Sequence, residues 1–385
     1  MKKRRILVLT LTILLAFSFT FASAALAAEP PPIGVTVDGE RVVFEDQQPV
    51  IVDGRTLVPV RGVFEFVGFE VDWDPDARQA TLTSDDYEVI ITVGSATFTT
   101  NGTNNTLDVP AQIIGGRTLL PIRAVLESVG YNVYWDNANR TVIVLSMSAM
   151  ELLLKSNNAM AEVISYDRIT EIGTIIEVEN AAMSMLVTVE SNVHLDPIAI
   201  RTATSVVIDI DGVATGEANS ASYLIREGEN LVMYMYIDGE WTKEVSPVSQ
   251  EFLDELRQMS TDDAFNEFLT SAVVVGSARI GNVDTWIVVY ETDIAATMGL
   301  LGGLQGTGFD ELFQADLLDT TDNVTATLWI AKDSFYQVKL HVDMTEMMAE
   351  VDPTVVAYYM TITSSNFNNA RPVVLPAGAA GAVEI

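Results

Sequence analysis

The chain contains no cysteine. Disulfide staples, thiolate chemistry and cysteine-held metals are therefore excluded, and no lipid can be attached through a cysteine. Histidine is almost missing, with only His194 and His341 in 385 residues. Neither lies in a nucleophile or zinc motif, for there is no G-x-S-x-G and no H-E-x-x-H. Basic residues are scarce: 21 Lys and Arg stand against 53 Asp and Glu, a formal charge of −32. Such a chain repels nucleic acid and anionic headgroups, so neither is an expected partner. Beyond the N-terminus no apolar run is long enough to span a bilayer, and no stable membrane span is expected. The reading is of a protein that is not an enzyme, with no catalytic residue, no metal site and no cofactor.

The N-terminus is the exception to both scarcities. Lys2 to Arg5 supply four positive charges, an apolar run follows from Ile6 to about Phe21, and small residues end at Ala25-Leu26-Ala27. This pattern predicts a secretory signal peptide over residues 1–27, and hence a secreted or envelope-associated, extracytoplasmic protein. Removing it leaves 17 basic residues against 53 acidic ones, a balance of −36. With no staples, stability must come from burial. Hydrophobic residues make up 49% of the chain, enough for about two domains.

One passage occurs twice. GRTLVPVRGVFEFVGFEVDWD begins at Gly54 and GRTLLPIRAVLESVGYNVYWD at Gly116, and 14 of 31 positions agree between residues 52–82 and 114–144. Pro59 and Pro121 stand where a helix can begin. Val60, Val63, Phe64 and Val67 then form one apolar stripe, and Ile122, Val125, Leu126 and Val129 another. Gly68 and Gly130 stand where a left-handed cap would end each helix. Phe69, Val71 and Trp73, like Tyr131, Val133 and Trp135, alternate with polar residues as half-buried strands do. A turn and a second strand follow, at Gln79–Thr83 and Thr141–Leu145. Arg61 and Arg123 oppose the helix dipole, so ion pairs with Glu65 and Glu127 are expected. A paired anion or glycan site is the alternative reading. Asp72 to Asp76 open like a calcium loop, but Ala77 and Thr83 stand where Gly and Glu are needed, so the stretch reads as a turn.

This double passage resembles the copper amine oxidase N-terminal-like domain, over residues 33–146. The resemblance implies a small β-rich domain whose antiparallel sheet wraps a helix, serving presentation or docking at the envelope. It does not imply oxidase activity. The family's catalytic part needs three histidine ligands and a tyrosine-derived cofactor, and two histidines cannot provide the first.

After Leu145 the pattern changes. Ser148 to Glu151 form a capping box, and apolar spacing predicts a helix to about Ile164. Long alternating runs follow, around 183–190, 206–210, 231–238, 283–290, 324–330, 336–342 and 355–362, with turn signals such as Asp211-Gly212 that make the sheet antiparallel. Helical patches are expected at 250–259 with 263–269 and at 294–301 with 310–318. The glycine-rich stretch 298–309 reads as a lid or linker, since it has no G-K-[ST] ending. The stretches EGENLVMYMYIDGEW, TLWIAKDSFYQVKLHVDMTE and NFNNARPVVLP are similar to LolA- and LppX-type carriers over residues 148–376. That resemblance implies an antiparallel half-barrel with packed helices and apolar ligands held between them. The ligand-lining residues expected are Met183, Met185, Ile208, Met233, Met235, Leu328 and Leu340, soft or branched side chains suited to a variable greasy ligand. Residues 377–385 are expected to form a flexible tail. The whole is read as an α+β, non-enzymatic exported protein. Its expected partners are a lipid or apolar small molecule and a cell-wall or envelope protein. A purely structural or adhesive envelope protein without ligand is the alternative.

Overall fold

A computed structural model describes residues 31–178, 181–237, 239–249, 271–293 and 323–385. The leader, the four expected helical patches and the 298–309 stretch lie outside the described residues.

The N-terminal region begins with β1 (Gly34–Val37), β2 (Glu40–Arg41) and β3 (Val50–Val52). The first copy of the passage supplies β4 (Arg55–Pro59), α1 (Val60–Phe64), β5 (Glu70–Asp74) and β6 (Gln79–Thr83). Between the copies lie β7 (Glu88–Thr92), β8 (Thr97–Thr100), β9 (Thr103–Thr106) and β10 (Gln112–Ile114). The second copy supplies β11 (Arg117–Pro121), α2 (Ile122–Glu127), β12 (Asn132–Asp136) and β13 (Thr141–Leu145). The expectation of one sheet around one helix is corrected. Two short helices sit among three sheets, ordered β12-β13-β1-β2, β10-β11-β4-β3 and β5-β6-β7-β8-β9. The two copies meet where β4 and β11 pair antiparallel, Val58 opposite Leu120. Their apolar stripes share one core: Val60, Val63 and Phe64 pack with Ile122, Val125 and Leu126.

Local chemistry explains the shared shape. Gly68 and Gly130 have φ of 92° and 90°, a conformation that costs glycine no steric strain. Phe69 N–H bonds back to Phe64 O, and Tyr131 N–H to Leu126 O, which closes each helix before the predicted end at Val67 or Val129. The expected pairs Arg61–Glu65 and Arg123–Glu127 form at 3.9 and 3.7 Å, on exposed surface where such pairs contribute little. Arg55 reaches Asp108 at 2.7 Å, and Arg117 pairs with Asp46. Each arginine thus grips the acid that precedes the other copy's first strand pair. The calcium-like stretch is a turn: Asp74 Oδ1 accepts from Asp76 N–H and Ala77 N–H.

The C-terminal region opens with α3 (Ala149–Ala161), whose capping box forms as expected. Six long strands follow: β14 (Ser165–Val178), β15 (Ala181–Leu195), β16 (Ile198–Ile210), β17 (Val213–Glu227), β18 (Asn230–Ile237) and β19 (Glu240–Pro247). Then come β20 (Val273–Ile280), β21 (Val283–Asp293), β22 (Asn323–Ala331), β23 (Gln337–Asp343), α4 (Thr345–Val351) and β24 (Val355–Ser365). They build one twelve-stranded sheet, ordered β20-β21-β22-β23-β24-β14-β15-β16-β17-β18-β19-β25. The last strand, β25 (Val383–Glu384), pairs parallel with β19. The tail is therefore not flexible coil. Ala379 is buried against Tyr223, Val232 and Tyr234, and Ala377–Gly381 form a 3-10 turn.

One face of this sheet carries the core. Leu152 and Leu153 of α3 pack there on Ile172, Val187, Val189, Val288, Leu328 and Val342. The same core takes in Ile143 and Leu145 of β13, so the two regions share apolar surface.

Candidate functional site

Strand register shows which side chains share the helix-side face. Met185 stands opposite Ile208, Met183 opposite Ile210, Leu224 opposite Met233 and Ser222 opposite Met235. Leu328 stands opposite Leu340, which stands opposite Ile362. All seven expected residues lie on this face, because side chains alternate with a period of two. They do not form one cluster. Leu328 and Leu340 are only 1% and 8% exposed and are covered by protein in the α3 core, so the expectation that they line a ligand is corrected. Met183, Met185 and Ile208 form one group and Met233 and Met235 another, all half-buried or more exposed.

What separates the groups is β17. Its side chains on this face are Gly216, Ala218, Ser220 and Ser222, all small, with Ala218 and Ser220 exposed. Gly216 pairs with Ile208, at the Met185 end, and Ser222 with Thr202, at the Met235 end. Those six steps span about 20 Å. The result is a trough with a small-residue floor and soft apolar walls.

Sequence reasoning missed the polar features of the region. Among the described residues, four buried polar atoms have no hydrogen-bond partner: Ser156 Oγ, Arg168 Nε, Thr174 Oγ1 and Trp286 Nε1. Arg168, Thr174 and Trp286 are on the helix-side face by register, and Ser156 is buried on α3. Arg168 stacks on Tyr166, its guanidinium carbon 4.8 Å from the ring centre. The available signal was a cation in step with Tyr166, Ile172 and Ile176 at a period of two along β14.

The opposite face holds Asp167, which accepts from Asn192 and Asn366 at 2.8 Å and from Arg371 Nε at 3.1 Å. Burial would raise its carboxyl, but these bonds and one from Arg371 N–H outweigh it and hold the group below the usual range. The stretch NFNNARPVVLP is thus a strap tied to β14. The histidines stay apart. His341 aligns through Thr361 and Glu171 with Thr188, six residues, or about 20 Å, from His194 along β15. His194 Nε2 is 3.1 Å from Arg371 O, and His341 Nδ1 is 2.9 Å from Thr361 Oγ1.

A separate cavity of about 670 Å³ opens in the N-terminal region, lined by Phe44, Arg61, Glu65, Phe66, Trp73 and Arg117 among others. Gly62 makes room there, since a Cβ would lie 2.8 Å from the Phe44 ring. Among the described residues no three His, Asp or Glu side chains gather to hold a metal, and no helix is long and apolar enough to cross a membrane.

The fold is therefore a β-rich chain with few helices, a small region of three sheets joined to one large open sheet. Residues 148–382 match a family of unknown function (DUF6612), and the chain belongs to that family. Residues 36–144 match the copper amine oxidase N-terminal domain. Among solved structures, the chain is similar to the lipoprotein LppX of Mycobacterium tuberculosis, with 15% identity, covering 59% of this chain and 98% of that one, at a TM-score of 0.31. It is similar to LprF from Mycobacterium bovis, with 14% identity over 60% and 97% of the two chains and a TM-score of 0.38. A LolA superfamily protein from Nitrosomonas europaea has 9% identity over 60% and 96%, with a TM-score of 0.20. No curated protein matches the chain.

Proposed function

We propose that the protein is a non-enzymatic, exported binding protein whose large sheet is a half-barrel holding a lipid or other apolar molecule. The observation that supports this reading is the trough on the helix-side face. Met183, Met185 and Ile208 wall one end, Met233 and Met235 the other, and none of these five is fully buried by protein. Half-exposed methionines around a floor of small residues leave apolar area that a ligand would cover, at roughly 25 cal/mol per Å² buried. We take residues 33–146 and 148–376 as two domains, the first presenting or docking the second at the envelope. Its 670 Å³ cavity, with Arg61 and Trp73 on the lining, is the surface available for that contact.

The test is organic extraction and mass spectrometry of the protein purified from its native secretion. A stoichiometric lipid is expected, and is expected to be lost from a folded Met185→Asp, Met233→Asp variant. Absence of any lipid, with no shift in melting temperature across a lipid panel, would leave the structural or adhesive reading instead.

A further inference from the structure

Arg168 differs from its neighbours on the helix-side face of the middle strands. In the five adjacent strands β23, β24, β14, β15 and β16, it is the one charged side chain on the helix-side face among the described residues. Its Nε is buried without a hydrogen-bond partner, and no described carboxylate pairs with it. A buried guanidinium nitrogen left unsatisfied is costly, and native proteins rarely keep one without a reason. Solubility is no reason here, since the chain is acidic and its surface charge is of the other sign.

On β24, β15, β16 and β17 the neighbours of Arg168 in its row are hydroxyl side chains. Ser364 flanks it on β24 and Ser191 on β15, and the row continues through Thr202 and Ser222 to Met235. Ser191, Thr202 and Ser364 are all buried. Three rows along the strands the character reverses: Thr174 is followed by Met185, Ile208 and Gly216. The face thus carries one polar, cationic row about 20 Å from this apolar one, and beyond it Tyr166, Val193, Ile200 and Leu224 form an apolar row again. Arg168 as a whole is only half-buried, so part of its side chain is open to solvent.

We infer that Arg168 binds the acidic head of an amphiphile, a carboxylate or phosphate, whose apolar chain lies along the trough toward Met185 and Ile208. The planar fork of arginine suits such a head. The inference rests on the apolar-ligand reading above and adds the charge and orientation of the ligand.

The probes are cis-parinaric acid and its methyl ester, which share a chain and differ in head charge. The full-length protein is expected to bind the acid about tenfold or more tightly than the ester, as one charge-assisted contact provides. Arg168→Leu is expected to bring the acid down to the ester while leaving the ester unchanged, and Arg168→Lys to keep part of the preference. Excess inorganic phosphate is expected to leave bound acid in place. Equal binding of acid and ester by the native protein, unaltered in Arg168→Leu, would overturn this inference and leave the apolar-ligand reading standing. Displacement of the acid by phosphate alone would overturn it too, by assigning Arg168 to a free anion. Failure of both probes to bind would overturn the two readings together.

Discussion

At the scale of single residues, Asp167 shows how one carboxylate fixes a distant segment. Every neighbour within reach is a donor: Asn192 and Asn366 side chains, and both the main chain and guanidinium of Arg371. Asp167→Asn would set an amide NH₂ against those donors, and a loss of about 2 kcal/mol is expected from urea unfolding. Its carboxyl is held below the ordinary value of 3.8, so its contribution has the sign of a stabilised carboxylate. The gap between native and variant should be complete above that value and shrink as pH falls through the lower folded one. A gap that grew on acidification would contradict the network. Gly173 carries a second residue-scale constraint. A Cβ there would run into the ring of Tyr359, its cross-strand partner, so the aromatic covers the glycine. Gly173→Ala is expected to cost about 1–3 kcal/mol, because the ring must leave its place.

At the scale of elements, the two copies of the repeated passage differ where one of them docks. On β13, Val142 and Val144 face the N-terminal core while Ile143 and Leu145 face the C-terminal one. The positions on β6 that correspond to Ile143 and Leu145 are Thr81 and Thr83, half-buried and exposed. On the outer strand, Asp72 in the first copy becomes Tyr134 in the second. The Tyr134 hydroxyl accepts from Ala149 N–H at 3.2 Å, at the start of α3. Asp136 is buried, and its Oδ2 accepts from Ser277 N–H on β20 at 3.1 Å. Gly276 allows this approach, since a Cβ would stand 3.2 Å from the carboxyl. The free copy instead keeps Glu70, Asp72 and Asp74 along its edge strand, charges that discourage strand pairing. Tyr134→Asp is therefore expected to uncouple the two regions and split one thermal transition into two, by calorimetry. Asp72→Tyr should leave the melt unchanged. Ser148→Ala, which removes the α3 capping box, should cost about 1 kcal/mol in chemical denaturation.

At the scale of the whole molecule, charge dominates. A balance of 21 basic to 53 acidic residues makes the folded state repel itself at low ionic strength. The melting temperature is expected to rise from very low salt to about 0.1 M sodium chloride, where screening acts over about 10 Å. A flat response would mean that the acids are already neutralised by pairing. Against that field, Arg168 is a local exception, a half-buried cation whose Nε is sealed from water.

The alternation of Met183 to Val189, Leu231 to Ile237 and Leu340 to Val342 already placed these residues on strands, and the capping box at Ser148 placed the helix. Both follow from local rules, since side-chain period and helix caps are fixed by a few neighbouring residues. The glycines at 68 and 130 and the turn at Asp74 were legible for the same reason. Three sheets in place of one, and a strand at Val383, were not, because pairing partners are set by long-range contact. Nor could periodicity say that Leu328 is sealed under α3 while Met185 is not: both read as apolar strand positions, and only the packed helix tells them apart. The sequence by itself determined which residues lie on strands and helices, and that thiol chemistry is absent. Only the tertiary structure decided which copy of the repeat docks, which methionines stay uncovered and that Arg168 Nε has no hydrogen-bond partner, because each depends on what is brought near across the fold.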